Sequence, residues 1–242
     1  MCVMSHAKAA LAIGIPHMVC RLLISDNKAR WFALHAIVNL IIAARTANAV
    51  LGLHSAWKAL HYDAGAVCTE AAPAELSSAQ PVLLTTYLHL WHALFFRLTR
   101  DDVIHHVAFV PLLCIPGALY QWGLCGNFSL FFMCGLPGAA IYALLAAQRL
   151  ECLPQVYEPR VAFLLNACMR APGLLFIQPF LWHMLLTGRN DAPWPFVLIQ
   201  VLLGPFNSLY YTRQSFQRYQ SKLRGAPTPP PAPGLPVASK GV

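Results

Sequence analysis

The chain has 242 residues, of which 57% are hydrophobic and only 11% are charged, whereas an ordinary soluble domain carries about 25% charged residues. A soluble fold has no interior large enough for this apolar surface, so the composition excludes a soluble globular protein. The formal net charge of +8 would suit a nucleic-acid partner, but most of the basic residues lie in the turns between apolar segments or after the last of them. We therefore expect no nucleic-acid binding.

Seven apolar segments are long enough to cross roughly 30 Å of hydrocarbon at about 1.5 Å per residue. The predicted spans are residues 8–25, 31–52, 80–98, 103–122, 127–148, 161–187 and 194–212. The first segment contains Pro16 and Arg21 and also suits an interfacial or targeting segment. The predicted fold class is therefore all-α, a polytopic membrane helix bundle with six or seven transmembrane helices.

Three regions follow from this organisation. Residues 1–27 hold the possible first span, residues 28–224 form the bundle, and residues 225–242 form a Pro-rich tail. Residues 53–79 are the longest predicted loop, with room for a short surface helix. The tail sequence GAPTPPPAPGLPVASKGV favours extended polyproline geometry and is typical of a disordered end. The alternative is a tail that contacts other membrane subunits.

The basic residues are unevenly divided between the two sides of the predicted bundle. Eleven of the 17 fall on one side: Lys28, Arg30, Arg97, Arg100, Arg149, Arg160, Arg213, Arg218, Lys222, Arg224 and Lys240. Lys8, Lys58 and Arg189 fall on the other. The positive-inside rule then predicts a carboxyl terminus in the cytoplasm, or in the matrix or stroma of an organelle.

Polar side chains recur at helical spacing, about 100° per residue, on four predicted spans. These stripes are His35, Asn39 and Thr46; Thr85, His89 and His92; Asn166 and Arg170; and Gln200, Gly204, Asn207 and Tyr211. Hydrogen bonds between helices explain a single stripe, but four stripes exceed what packing needs and predict a polar-lined cavity. Because no predicted span holds a carboxylate, Arg170 requires a lipid phosphate, a carboxylate ligand or backbone carbonyls as its partner.

The adjacent pair His105 and His106 follows Asp101 and Asp102, which suit the amino end of a helix. A histidine near its ordinary pKa can act as a general base, so this pair is the candidate catalytic site. The alternative is a pair that anchors the helix at the interface.

The histidine and cysteine patterns do not predict a metal. Only His89-Leu-Trp-His92 and the His105-His106 pair approximate the closely spaced histidine boxes of di-iron enzymes. The eight cysteines include no C-x-x-C, and they predict neither a zinc site nor a disulfide framework. Pairing of Cys68 with Cys125 in an oxidising lumen is an open alternative. We expect no metal and no cofactor.

The order of these features resembles the TLC-domain superfamily of membrane proteins, which contains ceramide synthases, translocating-chain-associated proteins and lipid-composition regulators. His35-Ala36 opens the first core helix, and YLHLWHALFFRLTRDDVIHHVAF leads through a basic turn into the histidine pair. Asn207, Tyr210 and Tyr211 precede a basic tail, as in the last helix of that family. The resemblance covers about residues 28–222 and implies a lipid-related function.

Two departures bear on the activity that the resemblance implies. The region FMCGLPGAAIYALLAAQR lacks the acidic residues found one helix beyond the histidine pair in ceramide synthases, and Trp91 and His92 stand where an acid is expected before the pair. A histidine that no carboxylate orients is a poorer base. We therefore expect a protein that binds membrane lipids and lacks synthase activity. Its eight lipid-binding candidates are His35, Asn39, His89, His92, Arg170, Gln200, Asn207 and Tyr211.

Two alternatives stay open. The chain could be a structural accessory subunit of a large organellar complex, for example in the mitochondrial inner membrane, or an acyltransferase resembling ceramide synthase that uses the histidine pair. The expected location is the endoplasmic reticulum or another endomembrane, and the alternative is the mitochondrial inner membrane or another organelle membrane.

Overall fold

The computed structural model describes residues 3–59, 78–120, 123–187 and 192–225, and the side chains of these except residues 3 and 53–59. Helices account for nearly all of this part of the chain, and it contains no strand. The helices are α1 (Val3–Leu23), α2 (Asn27–Ala59), α3 (Gln80–Phe95), α4 (Arg100–Tyr120), α5 (Gly123–Arg149), α6 (Tyr157–Thr187) and α7 (Trp194–Leu223).

Four of these helices are long and apolar enough to cross a membrane: the Asn27–Gly52 part of α2, and the whole of α4, α5 and α6. Many large apolar side chains on the outer surface are exposed, including Leu22 (84%), Leu186 (80%) and Leu94 (75%). A soluble monomer rarely exposes so much apolar surface. The all-α fold class is therefore confirmed and a membrane location is supported, while the count of six or seven spans stays a prediction.

The first helix packs on α3, although its sequence left its place in the bundle in doubt. Trp91 Nε1 donates a hydrogen bond to His17 Nδ1 at 2.9 Å, and His6 Nδ1 lies 3.2 Å from the Tyr87 hydroxyl. Ala9 and Ile13 are fully buried in an apolar cluster with residues of α2 and α3. A second apolar cluster joins α5, α6 and α7 around Phe180.

Three successive helices contain the same irregularity. Each has a five-residue π-helical segment that ends two residues before a Pro–Gly pair: Val110–Cys114, Phe131–Gly135 and Asn166–Arg170. A proline lacks an N–H, and its ring clashes with the carbonyl four residues earlier. In every case that carbonyl belongs to the middle residue of the segment, so the wider turn relieves the clash.

The glycines of these pairs allow α5 to approach its neighbours closely. A Cβ atom added to Gly138 would lie 2.6 Å from Asn39 Nδ2, and one added to Gly173 would lie 2.2 Å from Phe132 Cγ. Both distances are far shorter than a van der Waals contact. The α5–α6 contact therefore requires glycine at 173, whereas an added Cβ at 138 would displace the amide end of the Asn39 side chain.

Contacts between distant parts of the chain bring several basic turns to one end of the bundle. Arg149 pairs with Asp26 at 3.0 Å, and Arg218 pairs with the buried carboxylate of Glu158. We call the end that contains these four residues the basic end. At the opposite end, Asn127 Nδ2 donates to the Ser78 carbonyl at 3.2 Å.

The structure corrects two predicted boundaries. The loop predicted to begin at residue 53 is wrong at its start, because α2 continues through Ala59; residues 60–77 lie outside the described part. The sixth span was predicted to begin at residue 161, but α6 begins at Tyr157 and therefore includes the buried acid Glu158. Its long-range partner Arg218 makes this burial possible.

Two other predictions fall on undescribed residues. Cys125 is disulfide-bonded, and the other described cysteines are free, but Cys68, the partner considered above, lies outside the described residues. The same is true of the Pro-rich tail beyond Gly225.

Candidate functional site

A cavity of about 980 Å³ runs between the helices from the basic end to the opposite end. Its wall is largely apolar, with Phe109, Leu113, Leu130, Met133, Leu203 and Phe206 among the lining residues. Lys28, Arg97 and Arg149 border it at the basic end, and Ser78 and Asn127 border it at the other. The volume and the apolar wall suit a molecule of lipid or drug size.

All eight side chains predicted to bind lipid line this one cavity: His35, Asn39, His89, His92, Arg170, Gln200, Asn207 and Tyr211. Of the two predicted catalytic residues, His105 lines the cavity and His106 stands behind it against His92. Five helices of the bundle contribute to this set. The structure therefore brings the predicted residues together; whether they bind lipid stays a prediction.

The histidines of α3 and α4 form a cluster on the cavity wall. His89 Nε2 lies 3.0 Å from His105 Nε2, and His92 Nδ1 lies 3.3 Å from His106 Nε2. His89 Nδ1 donates to the Thr85 carbonyl at 2.7 Å, and His105 Nδ1 lies 3.3 Å from the Tyr211 hydroxyl. Both ring nitrogens of His89 and of His105 are therefore engaged.

Helix α4 is positioned for this cluster by its first turn. The Thr99 hydroxyl accepts from the Asp102 backbone N–H, and the Asp102 carboxylate accepts from the Thr99 backbone N–H at 2.8 Å. This capping box satisfies two N–H groups at the helix start. The predicted capping role is thus confirmed for Asp102. No described carboxylate makes a hydrogen bond to a histidine of the cluster.

Aromatic rings hold two histidines in place, His92 of the cluster and His35 of α2. The Trp31 ring stacks on His92 with the ring centroids 3.7 Å apart, and the Tyr142 ring stacks on His35 at 3.6 Å. Such stacking restricts each imidazole to one plane. Sequence reasoning missed Trp31 and Tyr142, because an aromatic residue in an apolar run gives no separate signal of a stacked partner.

Several buried polar atoms at the cavity have no protein partner. Asn39 is 1% exposed, and neither its Oδ1 nor its Nδ2 makes a hydrogen bond to the protein; the same holds for Nδ1 of His35. Arg170 is 8% exposed, its Nε has no partner, and it forms no ion pair with a described carboxylate. Its guanidinium carbon lies 5.6 Å from the centroid of the Tyr211 ring.

Two predicted stripe residues serve packing rather than the cavity. Thr46 donates back to the Ile42 carbonyl of its own helix at 2.7 Å. Asn166 donates to the Ser215 hydroxyl at 3.1 Å and so joins α6 to α7. The Asn166 contact matches the alternative interpretation of hydrogen bonds between helices, whereas the Thr46 contact stays within its own helix.

The charges at the basic end are partly neutralised. The Asp26 carboxylate accepts from Arg149 Nε at 3.2 Å and Nη2 at 3.0 Å, and from the Ala29 backbone N–H at 2.7 Å. The Arg149 hydrogen bonds, with a smaller effect from Ala29, lower the pKa of Asp26. Lys28 and Arg97 also line the cavity.

Within the described residues, no group of three or more His, Cys, Asp or Glu side chains could hold a metal ion. Comparison of the chain with protein-family models, with curated proteins and with solved structures finds no match. The interpretation of the site therefore depends on its own geometry.

Proposed function

We propose that this chain is a polytopic membrane protein that binds a lipid in the cavity among its helices. The observation that carries the proposal is the buried, unpartnered polar surface of Arg170 and Asn39 beside an apolar wall. A buried polar atom without a partner costs about 1–3 kcal/mol, and a buried charge costs more. A lipid whose head group accepts from Arg170 and pairs with Asn39 would remove these costs while its tails cover the apolar wall.

The proposal includes seven membrane crossings and membership of a TLC-like group. Support for seven crossings comes from α1, α3 and α7, which pack against the four long apolar helices. Support for the TLC-like assignment is the shared cavity of His35, His105 and Asn207, the residues on which the resemblance depends. A location in the endoplasmic reticulum is part of the proposal, and the disulfide of Cys125, opposite the basic end, favours an oxidising compartment on that side.

Lipid extraction and mass spectrometry of the protein purified in a gentle detergent test the proposal. We expect one class of lipid with an anionic or amide head group to remain with the parent protein. Arg170→Gln should retain much less of it. Arg45→Gln is the matched control, because Arg45 is an exposed arginine within α2 and should leave retention unchanged. Absence of retained lipid from a folded parent protein would reject the proposal.

A further inference from the structure

A chain of hydrogen bonds joins Tyr211 to α3 through His105 and His89. One backbone atom, the Thr85 carbonyl oxygen, determines which group donates in each of them. The Thr85 carbonyl can only accept a hydrogen bond, and His89 Nδ1 lies 2.7 Å from it. His89 Nδ1 must therefore carry a proton. This fixes the tautomer of His89 before any other contact is considered.

The proton on His89 Nδ1 also determines which atom donates in each of the next two hydrogen bonds. An imidazolium at this depth would be a buried charge to which no described carboxylate is hydrogen-bonded, so both rings are neutral. A neutral His89 with a proton on Nδ1 has a bare Nε2, so His105 Nε2, 3.0 Å away, is the donor. The bare nitrogen of His105 is then Nδ1, which accepts from the Tyr211 hydroxyl at 3.3 Å.

Two neighbouring groups of opposite hydrogen-bonding character thus face the cavity. The Tyr211 hydroxyl gives its only proton to His105, which leaves its oxygen lone pairs as acceptors for a ligand. The Arg170 guanidinium, whose carbon is 5.6 Å from the Tyr211 ring centroid, can only donate. The site therefore fits a ligand that presents an anion and a hydrogen-bond donor close together.

We infer that the cavity selects a lipid whose head group is a carboxylate with a hydroxyl on the neighbouring carbon; this rests on the proposed function. A carboxylate matches the planar fork of one arginine. The neighbouring hydroxyl donates to Tyr211. An ammonium group in its place would be repelled by Arg170, because no described carboxylate neutralises that charge.

Binding of three C16 probes to the delipidated protein in detergent tests this inference. The probes are hexadecanoate, 2-hydroxyhexadecanoate and hexadecan-1-ol, measured by displacement of a fluorescent fatty acid. We expect the 2-hydroxy acid to bind about threefold to tenfold more tightly than hexadecanoate, as one hydrogen bond provides. Hexadecan-1-ol should bind most weakly, because it lacks the carboxylate.

Variants separate the two parts of the head group. Tyr211→Phe should remove the preference for the hydroxyl and leave the affinity for hexadecanoate within about twofold. Arg170→Gln should weaken both acids. Tyr157→Phe is the control, since Tyr157 is half exposed and does not line the cavity. It should keep the preference.

The outcomes distinguish this inference from the proposed function. If no probe binds a folded parent protein that retains another lipid on purification, the inference fails and the proposed function stands; if the protein neither binds a probe nor retains a lipid, the proposed function fails. If both acids bind equally, or if Tyr211→Phe keeps the preference, the inference fails and the proposed function stands. Nitrogen-15 NMR of the parent protein tests the direction without any variant: a proton on His89 Nε2 or on His105 Nδ1 would overturn it.

Discussion

At the scale of single residues, the contacts of His105 argue against its use as a catalytic base. Its two nitrogens face His89 and Tyr211, and no described carboxylate orients it. A base must have a nitrogen within reach of the substrate proton. The proposed TLC-like assignment nevertheless makes acyl transfer an activity to test.

We expect microsomes that contain the parent protein and microsomes that contain the His105→Ala/His106→Ala variant to convert acyl-CoA and long-chain base at the same rate. The comparison is made at equal expression and across a panel of chain lengths. A variant that is about 10²–10⁴-fold slower, the usual contribution of a general base, would contradict this expectation and establish the pair as catalytic.

Gly173 provides a test of close packing between α5 and α6. An alanine Cβ at this position would meet Cγ of Phe132 at 2.2 Å, near the backbone end of that side chain, so the helices must separate. Overpacking of this kind costs about 1–3 kcal/mol. We expect Gly173→Ala to lower the Tm of the purified protein.

Gly14→Ala is the matched control, because its added Cβ would meet Trp91 at an ordinary 3.7 Å. Alanine favours a helix over glycine by up to about 1 kcal/mol, so the Tm of this variant should stay the same or rise. Equal decreases in Tm for both variants would show that glycine matters for some other reason.

At the scale of helices and turns, the Asp26–Arg149 pair joins the α1–α2 turn to the end of α5. The folded protein lowers the pKa of Asp26, so the carboxylate stabilises the fold at any pH above the ordinary aspartate pKa of about 3.9. That contribution disappears as the pH falls from about 4 towards the lower pKa of the folded state. We expect Asp26→Asn to unfold more easily than the parent at pH 7 and nearly equally at the lowest pH at which both remain soluble. A constant difference across the pH range would contradict this.

The helices and much of the cavity could be predicted from local sequence. His35 and Asn39 lie one turn apart, and a polar pair at that spacing in an apolar run must avoid lipid, which is why the stripes identified the wall. Contacts between residues that are distant in the chain could not be predicted in this way. The Glu158–Arg218 pair spans 60 residues, and the Tyr142 ring that stacks on His35 comes from another helix. A Pro–Gly pair in three successive apolar runs marks the π-helical segments in the sequence. The wider turn itself could not be predicted, because hydrophobic periodicity does not report helix pitch.

At the scale of the whole molecule, the exposed apolar surface is compatible with lipid contact or with a partner subunit. Buried polar atoms inside the bundle, by contrast, support the proposed lipid ligand, which this chain would hold without a partner. We therefore expect native gel electrophoresis of the gently solubilised protein to show a species that contains only this chain. Stable migration in a much larger complex with constant partners would favour the accessory-subunit alternative. A lipid-free chain in such a complex would favour it further.

The depth of Arg170 makes the electrical state of the membrane relevant to the cavity. Arg170 lies 13 residues after the first residue of α6, about 20 Å along the helix at 1.5 Å per residue. Across roughly 30 Å of hydrocarbon, a carboxylate that reaches it from the basic end carries its charge through about two-thirds of the field, and a full crossing is equivalent to about 2.3 kcal/mol per 100 mV. Two-thirds of that energy changes Kd about tenfold. With the basic end on the negative side, the anion moves in the direction that the potential favours, so polarisation of the membrane would tighten binding in the cavity and depolarisation would weaken it.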